Sequence, residues 1–325
     1  MKSNNLKSIN IAIELPTWMG DAVMASPAIE NICNHYRNCE IIFLGSQVAT
    51  ELYSNHPNCK ETKVISKSYK ELFLFALSFN NIDIFISFRS SFRSSFLKFV
   101  INANKKIIYS EDKLNKYHMV EKYNRFINSS LGMNLSAGQI NLYTSNFENI
   151  KKYDELTIGI NPGAAYGSAK RWDLKKFGEL AKHFSPDYKI VLFGGNNELD
   201  VSKKLENYFK KHNIQNYHNL IGKTSIDELM QRISSLSILI TGDSGPMHIA
   251  AAFQIPTVAI FGPTDHLETS QWKNKKGLIV RKEIECQPCK KRECPLSHNR
   301  CMNEITTQEV IEKVKYLIES DLNSK

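Results

Sequence analysis

"PTWMGDAVMASPAI" (residues 16–29) sets one carboxylate, Asp21, directly after Gly20 at the mouth of a helix-forming run. A carboxylate there has two readings. One is an acid in a helix first turn, where the macrodipole favours it. The other is a general base that takes a proton from a substrate hydroxyl. A second loop, "NPGAAYGSAKRW" (161–172), is built for anions. Its small residues Gly163, Ala164 and Ala165 let backbone N–H groups approach a ligand, and Lys170 and Arg171 follow as cations that can neutralise phosphate. The competing reading is a plain surface turn with a basic helix start. Trp172 reads as packing.

Two further loops follow apolar runs. In "LFGGNNELD" (192–200), Glu198 stands beyond a strand end, where a carboxylate can accept ribose hydroxyls; taken alone, an ordinary acid at a helix N-terminus is the commoner reading. In "ILITGDSGPMHIAAA" (238–252), Asp243 ends a strand, Ser244 and Gly245 make the turn, and Pro246 suits the first helical position. The free N–H groups at such a helix start form an anion site. His248 falls in the same first turn, where a lone histidine is more often structural.

Four of the seven cysteines, Cys286, Cys289, Cys294 and Cys301, share the spacing C-x2-C-x4-C-x6-C, with His298 inside it as an alternate ligand. Four such thiols can hold a tetrahedral zinc or an iron–sulfur cluster as a loop staple. The spacing is not a standard paired knuckle, so reduced and merely packed thiols remain the rival reading. Neither reading makes the cluster catalytic.

The elements that must position these loops are short apolar runs: 9–15, 40–45, 82–88, 106–110, then 156–161, 189–195, 238–243 and 257–263. Runs of this length, β-branched and closed by Gly, Asn or Pro, read as buried parallel strands alternating with helices. The series restarts near residue 155, after a polar, charged stretch (143–156) that reads as a linker. The chain therefore divides into residues 1–150 and 151–305, two Rossmann-like α/β domains that would face each other across a cleft, each with its loops at the strand carboxyl ends. Residues 306–325 contain a Thr-capped helical pattern that ends the fold.

At 325 residues the chain has length for two ordinary domains. No apolar run approaches the roughly 18 to 20 residues of a membrane-spanning helix, and the N-terminal stretch does not resemble a signal-peptide core. A cytoplasmic location is expected. The net charge of +9 favours acidic partners, nucleotides or anionic lipid surfaces among them. No nucleic-acid module signature accompanies it, and no nucleic-acid partner is expected.

Taken together, "WMGDAVMASPAI", "NPGAAYGSAKRW", "TGDSGPMHIAAA" and "VAIFGPT" resemble, in order and interval, the bacterial heptosyltransferases of lipopolysaccharide core assembly, glycosyltransferase family 9. The likeness covers nearly the whole chain. The "PGA..G.AKRW" form is closer to the type II enzymes than to type I, whose loop is richer in Thr. Two positions depart from type II usage: Ala165 stands where Glu is frequent, and Ser168 where Pro is frequent.

The resemblance implies a GT-B fold with an N-terminal acceptor domain, a C-terminal donor domain, and a last helix crossing back to the first domain. It implies inverting transfer from ADP-L-glycero-β-D-manno-heptose to the heptose of a Kdo–lipid A–heptose acceptor. Asp21 would be the base and Lys170 the donor-phosphate lysine. Gly163, Ala164, Ala165, Arg171, Glu198, Asp243, Ser244, Gly245 and His248 would bind the donor. Gly20 would lie on the acceptor side. Arg89 and Arg93, in "FRSSFRSSFLKF" (88–99), offer a basic acceptor face. An aspartate ionises near pH ~4 and so is a base at neutral pH. Lys170 and the helix N–H groups can do the work of a divalent cation on the leaving diphosphate, so no cofactor is required and Mg²⁺ stimulation stays open. The acceptor's lipid anchor implies peripheral contact with the cytoplasmic face of the inner membrane. The rival assignments are heptosyltransferase I, another GT-B transferase with a different sugar nucleotide, and a non-catalytic nucleotide-binding protein.

Overall fold

The computed structural model describes residues 8–110, 116–145, 153, 155–164 and 166–322, the side chains of 321 and 322 excepted. The chain divides into two compact units, residues 1–145 and 146–325. Most of the linker expected at 143–156 lies outside the described residues.

In the first unit the order is β1 (Ile9–Glu14), α1 (Met19–Met24), α2 (Ser26–His35), β2 (Cys39–Gly45), α3 (Gln47–Glu51), β3 (Cys59–Val64), α4 (Tyr69–Leu77), β4 (Ile82–Ser87), α5 (Phe92–Val100), β5 (Ala103–Ile108) and α6 (Met119–Leu131). All five strands are parallel, in the order β3-β2-β1-β4-β5. Alternating strands and helices bury both faces of such a sheet, which is why β1 and β4 are apolar almost throughout. Ala12, Ile42, Leu44 and Phe85 of the sheet pack with Leu72, Ala76, Leu97 and Ile101 of and beside α4 and α5. Ser46, Ser68 and Ser91 accept first-turn N–H groups of α3, α4 and α5.

The second unit runs β6 (Thr157–Asn161), α7 (Leu174–Phe184), β7 (Lys189–Leu192), α8 (Leu199–Lys211), β8 (Tyr217–Asn219), α9 (Ile226–Ser234), β9 (Ile238–Gly242), α10 (Gly245–Ala252), β10 (Thr257–Phe261), α11 (His266–Thr269), β11 (Gly277–Arg281), α12 (Arg300–Asn303) and α13 (Thr307–Leu322). Its six parallel strands stand in the order β11-β10-β9-β6-β7-β8. Counted within the unit this is the doubly wound Rossmann order, and the order reverses between β6 and β9. In the first unit the same reversal lies between β1 and β4. Chains of this topology bind ligands beyond the strand carboxyl ends at that point.

Within the second unit, helix α13 lies against α7, β10 and β11, and Val310, Ile311, Val314 and Leu317 belong to that unit's core. An apolar stripe at helical spacing goes where a complementary face is open, and here that face is formed by α7 and the β10–β11 edge. The expected threonine cap is present as a capping box. Thr306 Oγ1 accepts the Glu309 N–H (3.3 Å), and Glu309 Oε2 accepts the Thr306 N–H (2.8 Å).

Candidate active site

Strand β6 ends at Asn161, whose amide is the hub of the second unit's reversal point. Its Nδ2 donates to Thr241 Oγ1 (3.2 Å) at the end of β9 and to Ser244 Oγ (3.1 Å) in the turn beyond. Thr241 Oγ1 and Ser244 Oγ are themselves 2.9 Å apart. Ser244 is the N-cap residue of α10, yet its hydroxyl makes no cap bond and faces these partners instead. The turn thus holds the positive end of α10 at the strand ends.

Lys170 closes a short 3-10 turn, Ser168–Lys170, and reaches the same place. Its Nζ lies 2.7 Å from Asp243 Oδ2 and 3.2 Å from the Asp243 carbonyl oxygen, with the two side chains only 13 % and 5 % exposed. Thr269 Oγ1 donates to the same carboxylate oxygen (3.4 Å). The Lys170 ammonium also stands 4.9 Å from the Tyr166 ring centroid. A cation so held is aimed in a fixed direction.

Glu198 is buried beside these groups. Its Oε2 accepts the Gly195 N–H (2.9 Å), and burial pushes its carboxyl above the usual range against the opposing effects of that N–H and of Arg171. Gly163 leaves room for Glu198: a Cβ at that position would meet the Glu198 carboxylate, which would have to move. The sequence placed Glu198 and the 161–172 loop on separate strands; the sheet brings them into contact. Gly163, Ala164, Lys170, Arg171, Glu198, Asp243, Ser244 and Gly245 are therefore neighbours at the ends of β6, β7 and β9. His248 is buried within α10. Ala165 lies outside the described residues.

At the first unit's reversal point stands a residue that the sequence reading passed over. Glu14 ends β1, is almost wholly buried, and accepts hydrogen bonds from Ser87 Oγ (2.6 Å) and Ser94 Oγ (3.0 Å). Arg89 Nη1 lies 3.3 Å from it. Burial raises its carboxyl above the usual range; Ser87, Arg89, Ser94 and Arg93 pull the other way. Its signal was an acid inside an otherwise apolar parallel strand. Gly20 and Asp21 lie in the first turn of α1, both partly exposed. Arg89 is thus engaged with Glu14, and Arg93 Nη1 donates to the Lys67 carbonyl oxygen (2.7 Å) while its guanidinium lies over Tyr69. Both arginines have partners within the unit, which sets their geometry before any ligand arrives.

The cysteine segment packs on the Lys170 loop. Ala169 N donates to the Arg292 carbonyl oxygen (3.0 Å), and Tyr166 Oη to that of Lys290 (2.9 Å). Cys286, Cys289, Cys294 and Cys301 line one cavity of about 20 Å³ together with Ala169, Pro263 and His298. All four are free thiols. Among the described residues, no group of three or more His, Cys, Asp or Glu is drawn together tightly enough to hold a metal as it stands. Burial and the neighbouring Cys286, Cys289 and Cys294 push the Cys301 thiol up to about 11. The N–H groups of Asn299, Leu296, His298 and Ser297 act the other way on Cys294 and hold its thiol below the usual range.

The family profile for glycosyltransferase family 9 (heptosyltransferase) matches residues 74–299. The chain is 38 % identical to lipooligosaccharide heptosyltransferase 2 of Campylobacter jejuni, over 95 % of this chain and 99 % of the relative. The E. coli ADP-heptose lps heptosyltransferase II structure superposes with a TM-score of 0.82 at 22 % identity, covering 96 % of this chain and 99 % of that one. E. coli heptosyltransferase WaaC with ADP gives a TM-score of 0.76 at 15 % identity, covering 95 % and 100 %. Two parallel Rossmann-like units of this kind are the GT-B fold. The chain belongs to glycosyltransferase family 9, the heptosyltransferases.

Proposed function

We propose that the protein is an inverting transferase that moves L-glycero-D-manno-heptose from ADP-heptose to the first heptose of the lipopolysaccharide or lipooligosaccharide inner core, the type II reaction. The observation that carries this reading is the Lys170–Asp243 pair at the α10 N-terminus, in a chain alignable end to end with a type II relative. The second unit takes the donor and the first the acceptor. The acceptor hydroxyl oxygen attacks the anomeric carbon as the bond from that carbon to the diphosphate oxygen breaks, and ADP leaves. Asp21 accepts the hydroxyl proton.

Negative charge grows on the leaving diphosphate during cleavage. Lys170, Arg171 and the N–H groups at Ser244 and Gly245 meet that charge, and each is worth more in the transition state than before it. Asp243 and Thr269 aim Lys170; Glu198 accepts donor hydroxyls beside Gly163 and Ala164; His248 supports α10 from within. Gly20 keeps the backbone before Asp21 open to the acceptor, and Arg89 and Arg93 attract its anionic groups. Mg²⁺ stimulates rather than enables transfer in this reading.

The acceptor is anchored in lipid, and the enzyme works from the cytoplasmic face of the inner membrane. No helix among the described residues is long and apolar enough to cross a membrane. Helices α4 and α5 pack together and expose Phe73, Leu74, Leu77, Phe92 and Phe99, the last two 80 % and 83 % exposed, near Lys70 and Lys98. Aromatic and aliphatic side chains among cations suit an anionic lipid surface. Incubation of the purified chain with ADP-heptose and a defined core acceptor ending in its first heptose should add one heptose. Turnover with a UDP- or GDP-sugar alone would refute the donor assignment.

A further inference from the structure

We propose that Cys286, Cys289, Cys294 and Cys301 together bind one thiophilic metal ion, zinc or iron, which staples the loop 285–299 against residues 166–170. The argument rests on convergence. The four sulfurs come from separate places, three in an irregular loop and Cys301 in α12, yet all line one small cavity. A cavity of about 20 Å³ has room for roughly one water-sized body, as a single ion requires. Tetrahedral sites of four thiolates take zinc or iron.

The loop has little else to hold its shape. It contains no helix or strand between Arg281 and Arg300, and its side chains are largely exposed. Lys290, Ser297 and Asn299 nevertheless occupy left-handed backbone (φ 54°, 56° and 46°), a conformation that costs non-glycine residues energy and persists only where something imposes it. The resulting turns wrap the cysteines, and backbone N–H groups of residues 296–299 already face Cys294 Sγ, as N–H groups face a metal-bound thiolate. The loop is tied at its base: Gln287 Nε2 donates to the Gly262 carbonyl oxygen (2.5 Å) and Lys290 N to that of Pro263 (2.8 Å).

The ion also explains the placing of the loop. The Arg292 carbonyl oxygen receives the Ala169 N–H and lies so close to Gly167 that any side chain there would collide with it. Stapling residues 285–299 therefore fixes the turn that carries Lys170, whatever sugar nucleotide the protein uses.

Protein purified without chelator or histidine tag, under reducing conditions, should carry about one zinc or iron per chain by elemental analysis, with no acid-labile sulfide. Cobalt(II) exchanged into the wild-type chain should show thiolate-to-metal charge-transfer absorption. Cys294→Ser together with Cys286→Ser should abolish both, while Cys33→Ser leaves both intact. Metal loading should also slow amide hydrogen exchange at residues 166–170. Less than about one tenth of a metal per chain, together with no uptake and no charge-transfer band on adding zinc or cobalt(II), overturns the proposal. So does stoichiometric metal retained in the double variant, or sulfide equal to iron, which would mean a cluster. The cobalt and sulfide readings use the wild-type chain, so a misfolded variant does not blunt them.

Discussion

Lys170 and Asp243, 73 positions apart, meet at 2.7 Å where β6 and β9 end. A cation at a helix N-terminus is unfavourable by itself. The carboxylate offsets that cost, and Thr269 and the Asp243 carbonyl oxygen fix the direction of the ammonium. Lys170→Ala should therefore lower kcat by about 10²-fold, the range found when one charge-stabilising donor is removed. Asp243→Asn should leave the lysine poorly aimed and its charge unpaired, lowering kcat less but destabilising the fold by about 3 kcal/mol. Both variants break the buried pair and should lose stability in urea unfolding, so steady-state kinetics separate the roles; a kcat loss for Asp243→Asn as large as for Lys170→Ala would contradict the division.

Gly163→Ala should fail through Glu198. The added methyl displaces the buried carboxylate, so donor KM should rise several-fold and stability fall by about 1 to 3 kcal/mol. Gly195→Ala, where a Cβ meets open space, is the control and should change neither.

Asp21→Asn should lower kcat by about 10² to 10⁴-fold with little change in melting temperature, since a partly exposed first-turn residue contributes modestly to the fold. A wild-type kcat would remove Asp21 from the role of base.

Glu309 supplies a pH test. Burial opposes its ionisation, but Lys282 and both Thr306 bonds prevail and hold its carboxyl down to about 2 in the folded chain, from an ordinary 4.5. A depressed folded value means that the stabilisation is fully present above about pH 4.5 and is lost as the pH falls through about 2. Glu309→Gln should melt lower than wild type at pH 6, and the difference should narrow below pH 4.5. A constant difference across a series of thermal melts would show that the ion pair and cap do not act through this titration.

Phe92→Ser combined with Phe99→Ser should weaken sedimentation with vesicles of anionic phospholipid by at least several-fold, without changing turnover on a detergent-dispersed acceptor. Unchanged vesicle binding would move the lipid contact elsewhere.

The interior strands were legible because a sheet covered on both faces leaves its middle strands almost purely apolar; β1, β2, β4, β6, β7, β9 and β10 all announce themselves in this way. The strands missed were β3, β8 and β11. Each is an edge strand, and "CKETKV" and "YHN" are polar or half exposed because one flank meets solvent. The loops with chemistry were legible too, since Gly, Pro and small residues beside acids and cations mark strand ends by local backbone needs. Local sequence could also see a helix at 306–322, but not the surface that would receive it.

What the sequence by itself determined is the set of groups: an acid at 21, cations at 170 and 171, an acid, serine and glycine at 243–245, and four cysteines after β11. Only the tertiary structure decided their partners. Asn161 bridges to Ser244, Lys170 to Asp243, Glu198 to the Gly163 turn, and Glu14 to Ser87 and Arg89. The physical reason is that a doubly wound sheet places its first strand between its second and fourth, so residues some thirty-five positions apart (Gly163 and Glu198) or seventy to eighty apart (the other pairs) become neighbours through strand order. Spacing along the chain carries no trace of that adjacency.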